Sequence, residues 1–277
     1  MTVAEHLRRA VELENISTTP RLDIEVLLCH VLEKPRSYLF AWPDEVLSEQ
    51  QEALFSALLD RRKKGEPVAH LTGVREFWSL PLQVNSSTLI PRPDTELLVE
   101  AALQLPLPEQ AHVVDLGTGT GAIALALASE KPHWKIVAAD VQPDAVALAE
   151  SNRAALGFKN VSVVQSNWFE GLADQTFDLI VSNPPYIDPL DPHLSQGDVR
   201  FEPRTALVAE NNGLADIEII ASGAMQKLNA GGWLVVEHGY DQGEAVRKVF
   251  SGSGFTEVAT RQDLSGNDRI SLGRVAG

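Results

Sequence analysis

The tetrad Asn183-Pro184-Pro185-Tyr186 carries the clearest chemistry in this sequence, directly after a β-prone run over residues 177–182. Two consecutive prolines fix the backbone and remove two N–H donors, so carbonyl oxygens are left to accept hydrogen bonds. The Asn183 side-chain oxygen and the Pro184 carbonyl can then each accept one N–H of a planar NH2 group, and Tyr186 offers a flat face for stacking. The tetrad therefore predicts a site that orients an amide or aromatic amine nitrogen. The alternative is a turn that only ends the strand.

A second group lies in a glycine-rich loop, Asp115-Leu116-Gly117-Thr118-Gly119-Thr120-Gly121. Glycines are needed where the backbone turns sharply and where a ligand approaches without a Cβ in the way. A loop of this kind between a strand and a helix is where open α/β sheets bind cofactors. Asp140, about twenty residues on, would accept ribose hydroxyls. The spacing through Ala122 also fits the dinucleotide fingerprint. The loop therefore predicts a nucleotide-containing cofactor but does not show whether that cofactor is a dinucleotide. A purely structural tight turn is the remaining alternative.

Other candidate constellations are weaker. The seven histidines are scattered, and neither Cys-x-x-Cys nor His-x-x-x-His spacing occurs, so we expect no metal site. Glu237-His238 has the residue types of an acid–base pair, but a structural role at a strand end is the favoured interpretation.

The nitrogen that the tetrad would hold, in an amide or an aromatic amine, is a poor nucleophile because its lone pair is delocalised. Its reaction therefore depends mainly on orientation and desolvation at ~3–3.5 Å from the electrophile, and it needs no strong base.

From residue 94 onward, strands and helices alternate. Buried β-type runs and helical runs follow each other in the manner of a doubly wound, mostly parallel α/β sheet with helices on both faces. A closing hairpin would add one antiparallel strand. The seven predicted strands cover residues 113–115, 136–140, 161–164, 177–181, 233–237, 255–260 and 269–272, and the helices residues 122–129, 144–156, 217–228 and 243–251.

Residues 1–73 have the apolar spacing of amphipathic helices, which predicts a small helical-bundle domain. Thr19-Pro20 predicts one helix start, and a further helix is predicted from Ser48 to Lys64 with Leu54, Ala57 and Leu58 inward. Its basic end, residues 61–64, is interpreted as a solvated helix terminus rather than a nucleic-acid patch. Two β-prone runs broken by Pro81 predict a β-hairpin linker over residues 74–93. Residues 94–277 then form the third predicted segment, the sheet domain.

Charge and cysteine content restrict the partners and the compartment. The formal net charge of −15 would repel a polyanion, so direct binding to nucleic acid is disfavoured. Cys29 is the single cysteine, which indicates a reducing compartment. The N-terminus has no apolar signal-peptide core, and the longest purely apolar run, residues 122–128, is far short of the ~20 residues that cross a bilayer. We therefore expect a soluble cytoplasmic protein without membrane partners.

The loop and tetrad together resemble the Rossmann-like S-adenosylmethionine methyltransferases. Further segments narrow the resemblance to the protein-(glutamine-N5) methyltransferases that modify peptide chain release factors, the HemK/PrmC family. It extends over the whole chain. The segments that carry it are residues 70–78 (HLTGVREFW), 90–96 (IPRPDTE), 196–203 (QGDVRFEP) and 237–239 (EHG).

The resemblance implies methyl transfer from S-adenosylmethionine to the glutamine of the Gly-Gly-Gln motif in class 1 release factors. It also implies a role for each matching residue, and the helical domain would recognise the protein substrate. Asn183, Pro184 and Tyr186 would be the catalytic residues, and the whole tetrad with Pro185 would hold the glutamine amide. The residues implied to bind the cofactor are Gly117, Thr118, Gly119, Thr120, Gly121, Asp140, Trp168 and Asn183. Thr95 is either a further contact to the cofactor carboxylate or a helix-entry cap.

One residue departs from the family pattern, because Asn167 stands before Trp168 where the family typically has Asp.

Four rival functions also stay open. One is an adenine-N6 or cytosine-N4 nucleic-acid methyltransferase, because the exocyclic amine of the base presents the same two N–H groups as an amide. Such an enzyme would need base flipping and a basic cleft. The other three rivals are methylation of a ribosomal-protein glutamine, binding of the cofactor or of a translation factor without chemistry, and NAD binding.

Overall fold

The computed structural model describes all residues from Met1 to Gly277. The chain divides into two compact units. The helical unit comprises Met1–Val74 and the later segment Pro192–Phe201, and the sheet unit comprises Arg75–Asp191 and Glu202–Gly277. None of the helices is long and apolar enough to cross a membrane.

The helical unit is built from five α-helices. A capping box at Thr2 opens the first. Pro20 begins the second, as the sequence predicts, but the cap expected from Thr19 is wrong, because Thr19 makes no side-chain cap bond. Its core is an apolar cluster contributed mainly by the second and fourth helices. The helices are α1 (Val3–Arg8), α2 (Pro20–Leu32), α3 (Arg36–Ala41), α4 (Glu49–Lys63) and α5 (Val68–Thr72), with a 3-10 helix at Arg9–Leu13.

The predicted inner face of α4 is shifted by one residue. Phe55, Leu58 and Leu59 are buried, whereas Leu54 is 45% exposed and Ala57 is also exposed. Both stripes have helical spacing, and the aromatic ring of Phe55 buries more apolar surface than the Leu54 side chain would. The prediction for Leu58 is confirmed, and those for Leu54 and Ala57 are wrong.

At the basic end of α4, Arg61 and Lys64 are exposed, as predicted for a solvated helix terminus, but three of its four side chains also pair with acidic groups. Arg61 pairs with Glu66, and Lys63 pairs with Glu12. Arg62 is only 5% exposed, although the sequence gives no sign of its burial. The run therefore offers no continuous basic patch to a nucleic acid.

A two-stranded hairpin, β1 (Val74–Phe77) with β2 (Leu80–Gln83), lies inside the predicted linker. Its turn is Trp78-Ser79, and both residues have positive φ, 51° and 59°. Two left-handed residues match the right-handed twist of the flanking strands. Pro81, expected to separate the two β-prone runs, instead lies within β2, as a proline can in an edge strand.

The sheet unit contains one seven-stranded sheet in the order β5-β4-β3-β6-β7-β9-β8. All neighbours are parallel except β9, which runs antiparallel to both β7 and β8. This confirms the predicted Rossmann-like α/β fold and its single antiparallel strand. The strands are β3 (His112–Leu116), β4 (Lys135–Asp140), β5 (Val161–Gln165), β6 (Phe177–Ser182), β7 (Leu228–Glu237), β8 (Thr256–Gln262) and β9 (Asp268–Arg274).

Helices cover both faces of this sheet, and two apolar clusters fill the layers. The strand order reverses at β3, since β4 and β5 lie on one side of it and β6 on the other. Ligands bind at such a switch point, outside the carboxyl ends of the strands. The helices are α6 (Glu96–Leu103), α7 (Ala122–Glu130), α8 (Pro143–Leu156), α9 (Glu210–Gly213), α10 (Ala215–Lys227) and α11 (Gly243–Ser253), with 3-10 turns at Pro93–Thr95, Glu170–Leu172 and Arg204–Ala206.

Candidate active site

The glycine loop connects the end of β3 to α7 through three left-handed glycines. Gly117, Gly119 and Gly121 have φ values of 70°, 56° and 85°, so a side chain at any of them would be strained. The N–H groups of Gly117 and Thr118 both donate to the carbonyl of Ala139 in β4, at 2.8 and 2.9 Å. These bonds hold the loop against the neighbouring strand, and the loop lies beyond the carboxyl ends of the strands.

Asp115 holds the loop from beneath. Its Oδ2 accepts the Thr118 hydroxyl at 2.6 Å and the N–H of Ala124 at 3.2 Å, while its buried Oδ1 has no partner. Complete burial raises the pKa of Asp115 to about 7, against the lowering effect of those two hydrogen bonds. Its position suits a loop anchor rather than a ligand contact.

Asp140 ends β4 beside this loop. Its Oδ2 accepts the N–H of Gly119 at 2.9 Å, and its Oδ1 accepts the N–H of Gln142 at 2.9 Å. These two bonds fix the orientation of the carboxylate. Since each carboxylate oxygen can accept more than one hydrogen bond, acceptor capacity remains for a pair of ligand hydroxyls.

A cavity of about 410 Å³ lies over the loop, within the size range of small-molecule sites. Gly117, Thr118, Gly119, Thr120, Asp140, Trp168, Asn183 and Pro185 line it among the predicted site residues. Gly121, Pro184 and Tyr186 do not line it. Gly121 instead forms the left-handed N-cap of α7, where an added Cβ would lie 3.2 Å from Leu125. The cavity therefore unites the loop, the acidic strand end and part of the tetrad.

Trp168 forms a wall of the cavity and has an unusual backbone. Its φ is 46°, and its carbonyl accepts the Ser166 hydroxyl at 2.7 Å. Left-handed φ in a bulky residue is strained and is found most often at functional sites. Its ring lies 3.8 Å from the place a Cβ on Gly117 would occupy, which is van der Waals contact with the loop. The ring is therefore a flat wall of the cavity against which a planar group can stack.

Asn167, the departure from the family pattern, also lines the cavity. Its Nδ2 donates to Glu170 Oε1 at 3.0 Å. This bond commits the amide nitrogen to Glu170 and leaves Oδ1 as an acceptor. Asn167 can therefore accept an amine N–H as an Asp would, without the charge.

The tetrad begins directly after β6, and Asn183 has a defined orientation. Its Nδ2 donates to the Thr95 hydroxyl at 3.2 Å, which leaves Oδ1 for another donor.

Tyr186 is turned away from the cavity. Its hydroxyl donates to Glu237 Oε1 at 3.3 Å, and its carbonyl accepts from Gln242 Nε2 at 3.0 Å. Burial, followed by the nearby Glu237 charge, raises the pKa of Tyr186 well above its usual range.

Glu237 and His238 do not form an acid–base pair. The His238 ring is buried between the Gly239 carbonyl and the Ser271 hydroxyl, each 2.9 Å from one ring nitrogen. Burial lowers the pKa of His238, so a neutral ring bridges these two groups. Burial raises the pKa of Glu237 to about 7, while the hydroxyls of Thr95 and Tyr186 and the charge of Arg269 lower it. The favoured structural interpretation suits His238, but Glu237 faces the tetrad.

Sequence reasoning missed two polar groups near the cavity. Thr88 lines it with a buried hydroxyl that has no partner. Arg92 Nη2 donates to Glu202 Oε2 at 2.7 Å, and the N–H of Ile90 donates to Glu202 Oε1 at 3.0 Å. The segments around residues 90–96 and 196–203 were recognised only as family signatures, and the structure brings these residues of both together. No group of three or more His, Cys, Asp or Glu side chains is arranged to hold a metal ion.

Comparison with known proteins identifies the class of fold first. Residues 92–197 match a family described as "Methyltransferase small domain", and residues 6–73 match one described as "PrmC N-terminal domain". A methyltransferase from Pyrococcus furiosus superposes with a TM-score of 0.56 at 18% identity, over 80% of this chain and 100% of its own. The hMettl16 catalytic domain, solved with an RNA hairpin, superposes with a TM-score of 0.58 at 18% identity, over 75% of this chain and 80% of its own. The protein is a Rossmann-like methyltransferase.

Curated relatives narrow the class. The release factor glutamine methyltransferase of Escherichia coli is 55% identical, over 97% of this chain and 97% of its own length. Those of Vibrio cholerae and Pseudomonas aeruginosa are each 54% identical, over 99% and 94% of this chain and 97% and 94% of their own. The chain belongs to the release factor glutamine methyltransferase family.

Proposed function

We propose that this protein transfers a methyl group from S-adenosylmethionine to the side-chain amide nitrogen, N5, of the glutamine in the Gly-Gly-Gln motif of class 1 release factors. The observation that carries the proposal is the orientation of Asn183, whose nitrogen is engaged by Thr95 so that its oxygen is left for a substrate N–H. The names of the full-length relatives support release factors as the substrate. Since release factors act on ribosomes, the proposal includes a cytoplasmic location.

The cavity residues fit S-adenosylmethionine. The two oxygens of Asp140 suit the ribose hydroxyls, and the ring of Trp168 suits one face of the adenine. Asn167 Oδ1 suits the adenine amine. Loop residues Gly117 and Gly119 allow close approach at the methionine end, beside the first turn of α7. Bound S-adenosylmethionine supplies an electrophilic methyl group on a sulfonium that leaves readily.

The residues of the tetrad orient the acceptor. Asn183 Oδ1 and the carbonyl of Pro184 each accept one N–H of the glutamine amide, so the nitrogen is held in line with the methyl group. Pro185 contributes an apolar wall of the cavity, which keeps water from the nitrogen. Tyr186 donates to Glu237, and we propose that the edge of its ring borders the glutamine side chain.

The helical unit is proposed to recognise the protein substrate. Of the fourteen exposed large apolar side chains in the protein, nine lie between Met1 and Val74. Three of them, Phe40, Trp42 and Val46, are 57%, 59% and 65% exposed and close in sequence. Exposed aromatic and apolar side chains that lie close together are typical of protein-binding surfaces. The basic run at residues 61–64 gives no support to nucleic acid as the substrate, because Arg61, Arg62 and Lys63 pair with acidic groups.

The proposed substrate is tested by transfer of a labelled methyl group from S-adenosylmethionine. Purified class 1 release factor, ribosomal proteins, DNA and naked RNA are compared, with a release factor whose motif glutamine is replaced by alanine as the matched control. We expect label in the intact release factor alone, and mass spectrometry should place it on that glutamine. Label confined to a ribosomal protein or to nucleic acid would replace the proposed function with the corresponding rival.

Cofactor choice is tested at Asp140. We expect Asp140→Ala to weaken binding of S-adenosylhomocysteine about 10- to 100-fold, because two hydrogen bonds to a charged acceptor are lost. Isothermal titration measures the change, with Asp144→Ala as the control, since Asp144 is an exposed residue of the first turn of α8. NADH should not compete in the wild-type protein. Tight NADH binding, or an unchanged affinity in Asp140→Ala, would contradict the assignment.

A further inference from the structure

Behind the tetrad lies a buried carboxylate that the proposed chemistry does not use. Glu237, the last residue of β7, is 1% exposed. Its Oε1 accepts the Tyr186 hydroxyl at 3.3 Å, a long hydrogen bond, and its buried Oε2 has no partner with full hydrogen-bond geometry. A buried carboxylate with incomplete partners is costly and is characteristic of functional sites. The position therefore calls for an explanation beyond packing.

Thr95 connects this carboxylate to Asn183. The side chain of Thr95 is buried, and its Oγ1 accepts the N–H of Asn183 Nδ2 at 3.2 Å. A hydroxyl oxygen that accepts one hydrogen bond still has its own proton to donate. A hydrogen bond from the Thr95 hydroxyl lowers the pKa of the Glu237 carboxyl, so this carboxylate can take the proton that Thr95 has left to donate. Thr95 therefore lies between Glu237 and the amide of Asn183.

We propose that Glu237 is a positioning residue: acting through the hydroxyl of Thr95, its carboxylate fixes the Asn183 side-chain amide with Oδ1 toward the substrate nitrogen. This inference rests on the proposed function, because it assigns a group that sets the geometry of that same methyl transfer. Glu237 touches neither cofactor nor substrate. Its effect passes through the direction of two hydrogen bonds.

The ionisation state of Glu237 sets that direction. An ionised carboxylate only accepts, so Thr95 donates to it and its oxygen accepts from Asn183 Nδ2. The Asn183 oxygen then faces the cavity, where the NH2 group of the substrate needs an acceptor. A protonated Glu237 can donate to Thr95 instead, and Thr95 can donate to the Asn183 oxygen. The Asn183 amide would then turn over, and its NH2 group would oppose the substrate NH2 group.

The groups around Glu237 place this switch in the working range of pH. Arg269 and the hydroxyls of Thr95 and Tyr186 favour the ionised form, while burial and the charge of Asp94 favour the protonated form. Burial lowers the pKa of His238, the next residue, whose two ring nitrogens lie within hydrogen-bond distance of Ser271 and Gly239. The balance raises the pKa of Glu237 to about 7. We therefore expect kcat to rise with pH to a plateau above about 7, falling about tenfold per pH unit below it.

The first test compares Thr95→Val with Thr95→Ser. Both substitutions preserve most of the volume, but only Ser keeps the hydroxyl. With release factor and S-adenosylmethionine as substrates, we expect Thr95→Val to lower kcat about 10- to 100-fold and to change the KM for the cofactor less than threefold. Thr95→Ser should recover most of that kcat. Equal kcat values in the two variants would overturn the proposal.

The second test is the pH profile of Glu237→Gln. Glutamine has the same size but cannot ionise, so we expect a lower kcat whose ascending limb near pH 7 is absent. Titration with S-adenosylhomocysteine confirms that each variant is folded. A Glu237→Gln profile that keeps the wild-type limb would overturn the proposal even if kcat falls. The Thr95 pair decides the matter if Glu237→Gln does not bind the cofactor product.

Failure of the proposed function is distinguishable from failure of this inference. A wild-type protein that does not methylate the release factor glutamine would refute the proposed function before any variant is measured. A wild-type protein that does methylate it, with variants that behave as wild type, would refute only the role of Glu237.

Discussion

Asn183→Ala is expected to lower kcat for release factor methylation by about 10²- to 10³-fold, the effect typical of removing one oriented hydrogen-bond partner from a transition state. Asn183 Oδ1 is the side-chain acceptor that Thr95 leaves oriented for the substrate NH2 group. An amide nitrogen has a delocalised lone pair, so a misdirected nitrogen reacts slowly even when it is bound. Single-turnover kinetics with labelled S-adenosylmethionine measure the methyl-transfer step directly.

The matched variant is Asn183→Asp, which keeps an oxygen acceptor and the size of the side chain but loses the donor to Thr95. Its kcat should lie between those of the wild type and Asn183→Ala. Binding of S-adenosylhomocysteine should change less than tenfold in both variants, since Asp140 and the glycine loop remain. A fall in cofactor affinity as large as the fall in kcat would show that Asn183 serves the cofactor rather than the acceptor. An unchanged kcat would remove Asn183 from the reaction altogether.

The sheet and its glycine loop were predictable from sequence because each depends on local pattern. The glycines of residues 117–121, the strand before them and Asp140 lie within about thirty residues, and parallel strands bring their carboxyl ends to one edge. Two of those strands, β3 and β6, pair so that Leu116 is opposite Ser182. That register places the tetrad beside the loop. The sequence motifs therefore located the side of the cavity formed by the loop, Asp140 and the tetrad.

The support of the tetrad was not predictable, because it depends on residues far apart in the chain. Thr95 precedes α6, Asn183 follows β6 and Glu237 ends β7, and no spacing rule connects these positions. The sequence left Thr95 as either a helix cap or a cofactor contact. In the structure it makes no side-chain cap bond to α6, and its oxygen is engaged by Asn183. Only tertiary pairing of β6 and β7 reveals the relation.

Packing choices between equivalent helical stripes were also beyond the sequence. Leu54 and Phe55 both begin stripes with helical spacing, and the structure buries the one that starts with Phe55. The segment 192–201 is a second case. It follows the tetrad in the chain but belongs to the helical unit. Its two 3-10 helices, Pro192–Ser195 and Gly197–Phe201, contain no buried residue. The sequence therefore has no apolar pattern there that would predict association with the helical unit.

Arg62, which binds Asp198 of that segment, is the residue whose replacement is expected to reduce stability most. Within the helical unit, Arg62 Nε donates to Asp23 Oδ2 at 2.7 Å, and Arg62 Nη1 donates to Asp198 Oδ1 at 3.2 Å. Nη1 also lies within hydrogen-bond distance of the carbonyls of Gly65 and Glu66. The side chains of Arg62 and Asp23 are only 6% and 9% exposed. Removal of the guanidinium would therefore leave a buried carboxylate unpaired.

We expect Arg62→Met to destabilise the helical unit by about 3–5 kcal/mol, the range for breaking a buried ion pair on one side. Urea unfolding followed by circular dichroism measures the change. Lys63→Met is the control, because Lys63 pairs with Glu12 at a partly exposed position and should cost about 0–1 kcal/mol. The double variant Arg62→Met with Asp23→Leu should recover much of the loss, since both charges are then gone. A double variant no more stable than Arg62→Met would mean that geometry, not the unpaired charge, dominates.

The same variant separates the two units in function. The cavity is lined by residues of the sheet unit alone, so binding of S-adenosylhomocysteine should survive a partly unfolded helical unit. Methylation of the release factor should fall, because the proposed recognition surface around Phe40 and Trp42 depends on that unit. In addition, Asp198 in the segment 192–201 loses its hydrogen bond from Arg62. Arg62→Met that loses cofactor binding and helical stability together would show instead that the two units fold as one.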